Sequence, residues 1–556
     1  MTAPPRLGLR AANAVWLASQ RAGHRAFCAA LDRPAEVQTA RLRDLLARNA
    51  ASEYGRRLGF DRITTAREYQ DSVPIVGAEE LSVWIEAIKD GRPGVLTSEP
   101  VVSFETSGGS TGRPKYVPYT ASLLAEFRCA LAAWVTDLYT QRPALQAGGA
   151  YWSVSPAARS REITRGGIPV GFDDDAEYFG ATARAALSRL LLTPPELAAI
   201  EDMSVSRYVT LRFLLDSADL AFVSVWNPSF LTLLVGSLPG WADRLVDDIW
   251  HGTLTPPGPV EARVAAALRR RLTPKPARAR TLRRELGRAG GLEATTVWPR
   301  LRLISCWTAG SAARFVPEVE AAFPGVEIQG KGLLATEGVV SIPLVGHEGA
   351  ALAVTSHFYE FVELDAPRRR PRLAHEVEVG RCYSVLLTTG GGLYRYALGD
   401  TVRVIGHRGA TPLVEFVGRA GLVSDLCGEK LGEAHVARAL GAAAARLPAR
   451  CAFVLLAPEW ASPPYYALFA EAPVLSEAAL AGLARDVERE LLDSPSYAYC
   501  RRLGQLGPVR AVRVGRGAAA AYLERCMRLG QRAGAVKSTV LHRTPGWSAH
   551  MPTVPV

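Results

Sequence analysis

The sequence contains no pair of cysteines at CxxC spacing and no hydrophobic run long enough to cross a membrane. Its 8 cysteines are scattered along 556 residues, a pattern that argues against a zinc site and a disulfide framework and favours a reducing compartment. No apolar run reaches the roughly 18 residues that a membrane-spanning helix requires. Arginines interrupt the N-terminal segment, which therefore lacks the apolar stretch of a signal peptide. We expect a cytoplasmic protein without a membrane partner.

The charge balance favours anionic ligands but does not define a fold. Lysine and arginine number 65 against 54 acidic residues, which gives a formal net charge of +11 and favours partners such as phosphates. Residues 260–290 concentrate basic side chains, and a nucleic-acid patch is one interpretation. We favour a solvated helical hairpin instead, because prolines split the segment and no aromatic residue interleaves for base stacking. We therefore expect no nucleic-acid partner.

The pattern of apolar residues predicts two domains of α/β character. A length of 556 residues exceeds one ordinary core, and the strand–helix–strand rhythm of residues 301–345 predicts a parallel sheet. Short strands over 350–418 predict an antiparallel subdomain. We place the boundary so that residues 1–424 form a large domain and residues 425–556 form a small, mobile α+β domain. Further helices are predicted at 9–48, 123–139, 312–323, 432–446 and 476–493, and further strands at 101–104, 451–457 and 465–470.

A glycine-rich loop, "SGGSTGRPK" at residues 107–115, allows three interpretations. Its GGSTG core satisfies the G-x-S-x-G pattern of a nucleophile elbow around Ser110, but that motif requires a helix directly after the serine. The β-like, proline-containing stretch that follows argues against the elbow. A Walker loop requires G-K-[ST], which is absent. The best match is the phosphate loop of adenylate-forming enzymes, where backbone amides bind an anion, hydroxyls donate to phosphate oxygens and Lys115 supplies a full charge.

Four later segments supply the other groups that an adenylate-forming site requires, and one of them, "FVGRAG" from residue 416, offers Arg419 at the domain boundary. "TAGSAARFVPEV" from residue 308 resembles the strand–turn–helix that places glycine backbone against adenine. "LLATEG" from residue 333 resembles the Thr-Glu segment, and "LYRYALGD" ends in Asp400, a carboxylate suited to accept both ribose hydroxyls. Each segment alone is compatible with an ordinary turn or surface loop. Their order behind the glycine loop is what predicts a nucleotide site.

These motifs also resemble a narrower group, the Gretchen Hagen family of acyl acid–amido synthetases, and the similarity extends over nearly the whole chain. "HFYEFVEL", "TTGGGLYRYALGDTVRVIG" and "FVGRAGLVSDLCGEKLGE" resemble its core motifs. The resemblance implies an α/β adenylate-forming domain, the cofactors ATP and Mg²⁺, and catalytic roles for Lys115, Glu337 (the metal ligand) and Lys537. Lys430 is the alternative to Lys537 as the lysine that contacts the adenylate. The remaining ATP-binding candidates are Ser107, Gly108, Gly109, Ser110, Thr111, Gly112, Gly310, Ser311, Leu333, Leu334, Thr336, Asp400 and Arg419.

The resemblance further implies an ATP-dependent amide ligase. A carboxylic acid is activated as acyl-AMP with release of pyrophosphate, and an amine then displaces AMP, so the expected partners are a small acid and a small amine, bound by a monomer. Aromatic residues near the motifs are candidates for the acyl pocket, although ordinary core packing is an alternative for each. They are Trp226, Phe230, Phe358, Tyr359 and Tyr396. The competing functions are a carboxylate–CoA ligase, which would use a thiol acceptor, and more remotely a serine hydrolase using Ser110.

Overall fold

The computed structural model describes residues 7–108, 114–153, 162–171, 189–286, 294–364, 366, 370–419, 423–447, 451–529 and 539–552. Contacts between residues divide the chain into two compact units. Unit 1 comprises residues 1–106 and 116–418, and unit 2 comprises residues 107–115 and 419–556. No helix among the described residues combines the length and apolar character needed to cross a bilayer.

The N-terminal region is helical, as the apolar spacing predicts, but the helix is divided. Pro34 begins the second helix because a proline has no amide hydrogen to donate and its fixed φ suits the first helical position. Thr65 caps the fourth helix in a capping box with Glu68. The helices of this region are α1 (Leu7–Ala30), α2 (Pro34–Asn49), α3 (Glu53–Leu58), α4 (Ala66–Ser72) and α5 (Ala78–Lys89).

The next segments of the chain form two small sheets. The long helix that the sequence predicts at 123–139 comes between β2 and β3 in the sequence. This helix, α6 (Ala121–Gln141), begins where the Thr120 hydroxyl accepts from the amide of Leu123. One sheet has the order β2-β1-β5-β4 and the other is a parallel sheet of order β3-β6-β7-β8. The strands are β1 (Ser103–Gly108), β2 (Pro114–Tyr119), β3 (Gly149–Trp152), β4 (Glu162–Ile163), β5 (Pro169–Val170), β6 (Leu220–Ser224), β7 (Leu303–Cys306) and β8 (Glu327–Gly330).

The parallel sheet confirms the strand–helix–strand prediction for residues 301–330. Every residue of β6 and β7 is buried, as expected for strands covered on both faces. The predicted helix at 312–323 begins as a 3₁₀ turn, Gly310–Phe315. The helices of this part are α7 (Met203–Leu215), α8 (Pro228–Gly236), α9 (Leu238–His251), α10 (Ala262–Arg269), α11 (Pro276–Leu286), α12 (Ala294–Val297) and α13 (Val316–Ala322).

The basic segment 260–290 forms the predicted pair of helices, α10 and α11, and several of its arginines contact other parts of unit 1. Arg283 pairs with Asp247 at 2.7 Å and Arg271 with Glu196 at 2.8 Å. Arg278 donates to the carbonyls of Leu215 and Val297, and burial lowers the pKa of Arg278 to about 10. These contacts support the interpretation of this segment as part of the fold.

The predicted antiparallel subdomain is a seven-stranded sheet of order β11-β12-β17-β16-β15-β13-β14. A separate two-stranded hairpin, β9 (Leu334–Ala335) with β10 (Gly338–Val339), precedes it. The strands of the large sheet are β11 (Ser341–Pro343), β12 (Ala350–Leu352), β13 (Phe358–Glu363), β14 (Arg372–Leu373), β15 (Cys382–Thr388), β16 (Tyr396–Arg408) and β17 (Thr411–Arg419).

Most of unit 2 is the α+β region that the sequence predicts near the C-terminus. Two antiparallel strands and a third, parallel one form a sheet in the order β20-β21-β22, and a separate pair, β18 with β19, precedes it. The strands are β18 (Val423–Ser424), β19 (Leu431–Gly432), β20 (Phe453–Glu459), β21 (Tyr465–Glu471) and β22 (Arg510–Arg513), and the helices are α14 (Glu433–Ala444), α15 (Glu477–Leu491), α16 (Pro495–Arg502) and α17 (Ala518–Arg528).

Candidate active site

The glycine loop connects two strands. Ser107 and Gly108 end β1, and Lys115 is the second residue of β2 with a half-buried side chain. The other predicted phosphate-binding residues, which are Gly109, Ser110, Thr111 and Gly112, lie outside the described residues. Because a strand follows the loop where a nucleophile elbow needs a helix, the backbone here contradicts the serine-hydrolase alternative.

The predicted Thr-Glu segment is the turn of a tight hairpin. Ala335 of β9 pairs with Gly338 of β10, so Thr336 and Glu337 are the two residues that connect the strands. Thr336 is half-buried, whereas Glu337 is only 3% exposed. A carboxylate at this degree of burial requires compensating charge or hydrogen bonds. The turn therefore places one buried carboxyl group at a fixed point of unit 1.

Side chains from two other elements hold this turn. The hydroxyl of Tyr119, the last residue of β2, donates to the Thr336 carbonyl at 2.6 Å. The Val339 amide donates to His357 Nε2 at 3.0 Å, so the ring proton lies on Nδ1, which donates to Glu126 at 2.7 Å. A Cβ on Gly338 would lie 2.8 Å from His357 Nε2, so only glycine allows the strand to approach this close.

The surface predicted to face adenine borders a cavity of about 490 Å³ in unit 1, a size within the range of small-molecule sites. Thr308 and Ala309, which precede Gly310 and Ser311, form one part of its wall. Leu333 lines the cavity as the predicted apolar face, whereas Leu334 is half-buried and is not part of the wall. The backbone of Gly310 and Ser311 belongs to the 3₁₀ turn that follows β7.

Asp400 lies at an irregularity of the antiparallel sheet. Strands β15 and β16 pair regularly at Ser384 with Thr401 and resume at Leu386 with Ala397, so β16 bulges between these pairs. Gly399 supplies the positive φ of +82° that the bulge requires. Asp400 itself is 6% exposed. Bulges are frequent beside active sites because they redirect a side chain, and Asp400 lies directly after the glycine of this one.

The motif that precedes Asp400 contains a buried ion pair. Arg395 adopts φ +47°, a conformation that costs free energy in a residue with a side chain. Its guanidinium pairs with Glu360 at 3.0 Å and donates to the carbonyls of Gln70 and Val73. The arginine of "GLYRYALGD" thus joins the antiparallel sheet to the N-terminal helices, a structural role that the sequence does not reveal.

The aromatic candidates for the acyl pocket fall into two groups. Phe358, Tyr359 and Tyr396 are 0–4% exposed, and the Tyr359 hydroxyl donates to the carbonyls of Val339 and Ala353. These three are core residues here, the alternative that the sequence left open, and we leave them out of the proposed pocket. Trp226 and Phe230 are half-buried and remain candidates.

Sequence reasoning missed one group beside Trp226. Lys331 follows the last residue of β8 and donates to the Ser224 hydroxyl at 2.8 Å. Its ammonium lies 4.8 Å from the ring centre of Trp134, 5.1 Å from Trp226 and 5.9 Å from Trp152. Burial lowers the pKa of Lys331 to about 7. The signal that could have indicated it is a lysine directly after a parallel strand, where open α/β sheets bind ligands.

In unit 2, Lys430 has a half-buried side chain and a φ of +48°. The turn before it is organised by buried Glu429, which accepts from the amides of Leu426 and Cys427 and from the Tyr466 hydroxyl. Arg419 ends β17, and only its backbone is described. Lys537 lies outside the described residues. Its role and that of Lys430 stay predictions.

The described residues suit a magnesium ion that binds together with the nucleotide. No group of three or more His, Cys, Asp or Glu side chains that could hold a metal occurs in the part of the chain that the structure describes. Mg²⁺ keeps several waters and is bound by one or two carboxylates together with substrate phosphates. Glu337, a buried carboxylate at a fixed turn, is the residue suited to that role.

Comparison with protein families gives matches to three successive segments of the chain. Residues 23–328 match the GH3 family N-terminal domain, residues 350–419 its central domain and residues 434–545 its C-terminal domain. The chain belongs to the GH3 family. The three matched segments follow one another in the order of the parallel-sheet region, the antiparallel sheet and the α+β region.

Named GH3 relatives are amido synthetases. The chain is 28% identical over 456 residues to the probable indole-3-acetic acid-amido synthetase GH3.12 of Oryza sativa subsp. japonica, covering 74% of this chain and 73% of the relative. It is 27% identical over 547 residues to the indole-3-acetic acid-amido synthetase GH3.10 of Arabidopsis thaliana, covering 88% and 90%. The solved structure of the AtGH3.15 acyl acid amido synthetase in complex with 2,4-DB superimposes with a TM-score of 0.67 at 20% identity, covering 96% of each chain, and shows the shared fold.

Proposed function

We propose that this protein is an ATP-dependent acyl acid–amido synthetase, a ligase that forms a C–N bond between a small carboxylic acid and a small amine. The observation that carries the proposal is the buried Glu337 in the Thr336–Glu337 turn of a chain that matches all three GH3 domains. Small-molecule substrates, a monomer and a cytoplasmic location belong to the same proposal.

In the first half-reaction, an oxygen of the substrate carboxylate attacks the α-phosphorus of ATP. The bond to the bridging oxygen breaks and pyrophosphate leaves. This step requires neutralisation of charge more than proton transfer. We assign Lys115 and the amides of residues 107–112 to the phosphates, Thr336 to the α-phosphate, and Asp400 to the ribose hydroxyls. The cavity beside Leu333 is the proposed adenine site.

Glu337 would hold the magnesium ion. When bound, the ion offsets the negative charge of the phosphates. The contribution of the protein is to keep the Glu337 carboxylate in one place, through the contacts of Tyr119 and His357 with the hairpin.

In the second half-reaction, the nitrogen of a neutral amine attacks the acyl carbonyl. The carbon–oxygen bond to AMP breaks, AMP leaves and the nitrogen gives up a proton to solvent. This step is largely a matter of positioning. We further propose that the small C-terminal domain, residues 425–556, rotates between the two steps and that Lys537, or alternatively Lys430, contacts the adenylate.

The test is carboxylate-dependent exchange between ATP and labelled pyrophosphate over a panel of acids. Replacing Lys115→Ala or Glu337→Ala should lower exchange by at least about 100-fold, the typical effect of removing one transition-state contact. Lys275→Ala is the matched control, because Lys275 is paired with Asp216 and belongs to none of these motifs. Exchange that survives in Lys115→Ala and Glu337→Ala would contradict the assignment.

Analysis of the products identifies the group that accepts the acyl moiety. An amide formed with an amine but no thioester formed with coenzyme A supports the amido synthetase, and the reverse result would establish the CoA ligase. Absence of exchange with every acid, together with ATP-independent labelling of Ser110 by a fluorophosphonate, would overturn the proposal altogether.

A further inference from the structure

Lys331 lies in an aromatic compartment at one edge of the parallel sheet. Trp152 ends β3, Ser224 ends β6 and pairs with Trp152 in register, Trp226 follows two residues later, and Lys331 comes directly after β8. All of these positions are at the carboxyl ends of parallel strands, the edge where open α/β sheets bind ligands. Trp152, Trp226 and Lys331 are only half-buried, so the compartment has an opening.

The ammonium group of Lys331 has no carboxylate partner among the residues that the structure describes. Its neighbours there are the hydroxyl of Ser224 from β6, the indoles of Trp134, Trp152 and Trp226 and the Cys306 thiol from β7. Burial raises the pKa of Cys306 to about 11, so this thiol is neutral. Burial without a counter-ion is costly for the ammonium and disfavours its charged form. An anionic ligand beside Lys331 would supply the missing counter-charge.

The compartment is also connected to the Thr336–Glu337 turn by a short segment of chain. Lys331 precedes Glu337 by six residues, and a chain of that length spans at most about 20 Å. This limit is compatible with one acid that contacts Lys331 at one end and has its other end toward Thr336, the residue assigned to the α-phosphate. Three indole rings favour an aromatic or conjugated body, through stacking and edge contacts.

We propose that this compartment binds the acyl substrate, and that the substrate is an aromatic or conjugated acid with a second carboxylate, which Lys331 binds at the end opposite the carboxylate that is activated. Lys331 is then a specificity-determining residue. Pairing with the reacting carboxylate is the less favourable arrangement, because a tight ion pair would stabilise the nucleophile before it attacks phosphorus. The inference rests on the proposed adenylation of an acid.

The test compares matched acids in the pyrophosphate exchange assay with wild type, Lys331→Met and Lys275→Met. The pairs are benzoate with terephthalate, and cinnamate with 4-carboxycinnamate, within a wider panel of monoacids and aromatic diacids. Methionine keeps the length of the lysine stem and removes the charge. We expect wild type to favour diacids, and Lys331→Met to lower kcat/KM for them by about 30-fold or more, mainly through KM. Monoacid exchange should change by less than about 3-fold, and Lys275→Met should behave as wild type.

The other outcomes each overturn the inference in a distinguishable way. Exchange with monoacids only would reject the second-carboxylate role while leaving adenylation in place. The same conclusion would follow if Lys331→Met lost exchange activity equally with all acids. Absence of exchange with every acid in the wild type would reject the proposed function and the inference with it. Calorimetric titration of terephthalate into wild type and Lys331→Met without ATP is the independent readout, and equal affinities would also reject the inference.

The fold of the variant is checked by thermal unfolding. Because the pKa of Lys331 is lowered from 10.5 to about 7, the folded protein disfavours the charged lysine, and this penalty is complete below pH 7 and disappears as pH rises toward 10.5. Lys331→Met should therefore raise the melting temperature at pH 6 more than at pH 9. A variant that unfolds below the wild type at pH 6 would show that the lysine stabilises the fold, contrary to a ligand-binding role.

Discussion

At the scale of single residues, the candidate site depends on buried polar contacts that fix a short turn. Glu337 is a buried carboxylate, and its neighbour Thr336 is attached to the rest of unit 1 through the Tyr119 hydroxyl. A hydrogen bond of this kind contributes about 0.5–1.5 kcal/mol, which is small beside the stability of the protein. Its contribution to the position of Glu337 matters more, because displacement of a catalytic group by about 1 Å can strongly lower the catalytic rate.

Replacement of Tyr119→Phe should lower the kcat of pyrophosphate exchange by roughly 10-fold, because the Thr336 carbonyl loses its donor while the ring remains packed. Tyr394→Phe is the matched control: Tyr394 is also completely buried and donates to a backbone carbonyl, that of Leu96 at 2.9 Å. Both variants should lose similar stability in urea unfolding. Equal loss of exchange in the two variants would assign Tyr119 to the general stability of the core.

At the scale of elements, the two carboxylates of the proposed site lie on different kinds of irregularity. Glu337 occupies the turn of a hairpin with strands of two residues each, and Asp400 follows a glycine in a bulge of a strand of 13 residues. Regular strands would alternate side chains between the two faces of the sheet. Each irregularity breaks that alternation and points one carboxylate in a direction that regular pairing would not give.

Substitution Gly399→Ala should raise the KM for ATP by about 10-fold or more, because an L-residue at φ +82° costs about 1–2 kcal/mol and relaxation of the bulge would redirect Asp400. Gly380→Ala is the matched control, since Gly380 has φ +86° and a methyl group added there would meet no other atom within 4 Å. Both variants should lose similar stability. An unchanged KM for ATP in Gly399→Ala would contradict the ribose role of Asp400.

At the scale of the whole molecule, the chain has separate cores. One cluster of buried residues includes the N-terminal helices and the antiparallel sheet, and a second surrounds the parallel sheet. A third cluster belongs to unit 2 and includes Tyr522, Trp547 and Met551. Stability can therefore respond to conditions differently in different regions.

Unit 2 should be sensitive to acid. The ring of His542 lies 4.8 Å from that of Trp547, and burial, with nearby Arg525 and Arg543, lowers the pKa of His542 from 6.5 to about 4. Stability from the neutral ring is complete above pH 6.5. It is lost as pH falls toward 4, because the unfolded chain takes up a proton that the folded state disfavours.

The measurement is hydrogen exchange of peptides from residues 451–529 and 539–552 between pH 7.5 and 5, corrected for the intrinsic effect of pH. Protection should fall with pH in the wild type and fall less in His542→Phe, which keeps an aromatic ring and removes the titration. His251→Gln, at an exposed histidine of unit 1, should behave as the wild type. Identical pH profiles for wild type and His542→Phe would contradict the prediction.

The sequence by itself determined the features that depend on neighbouring residues. Apolar periodicity predicted α6, the parallel strands and the α+β region, and local order predicted that Thr336, Glu337 and Asp400 belong to one kind of site. The helices and strands follow from short-range geometry, because apolar periodicity is encoded within a few positions. The three site residues were assigned through the resemblance of their motifs to those of adenylate-forming enzymes, and their roles stay predictions.

Only the tertiary structure decided which distant side chains meet. Trp134, Trp152, Ser224, Trp226 and Lys331 come from α6 and from the ends or flanks of β3, β6 and β8, and no local pattern connects them. In the same way Tyr359, a candidate for the acyl pocket, proved to be a buried donor to the backbone beside Glu337. Side-chain direction and burial depend on strand order and register, which a single sequence encodes only through the complete fold.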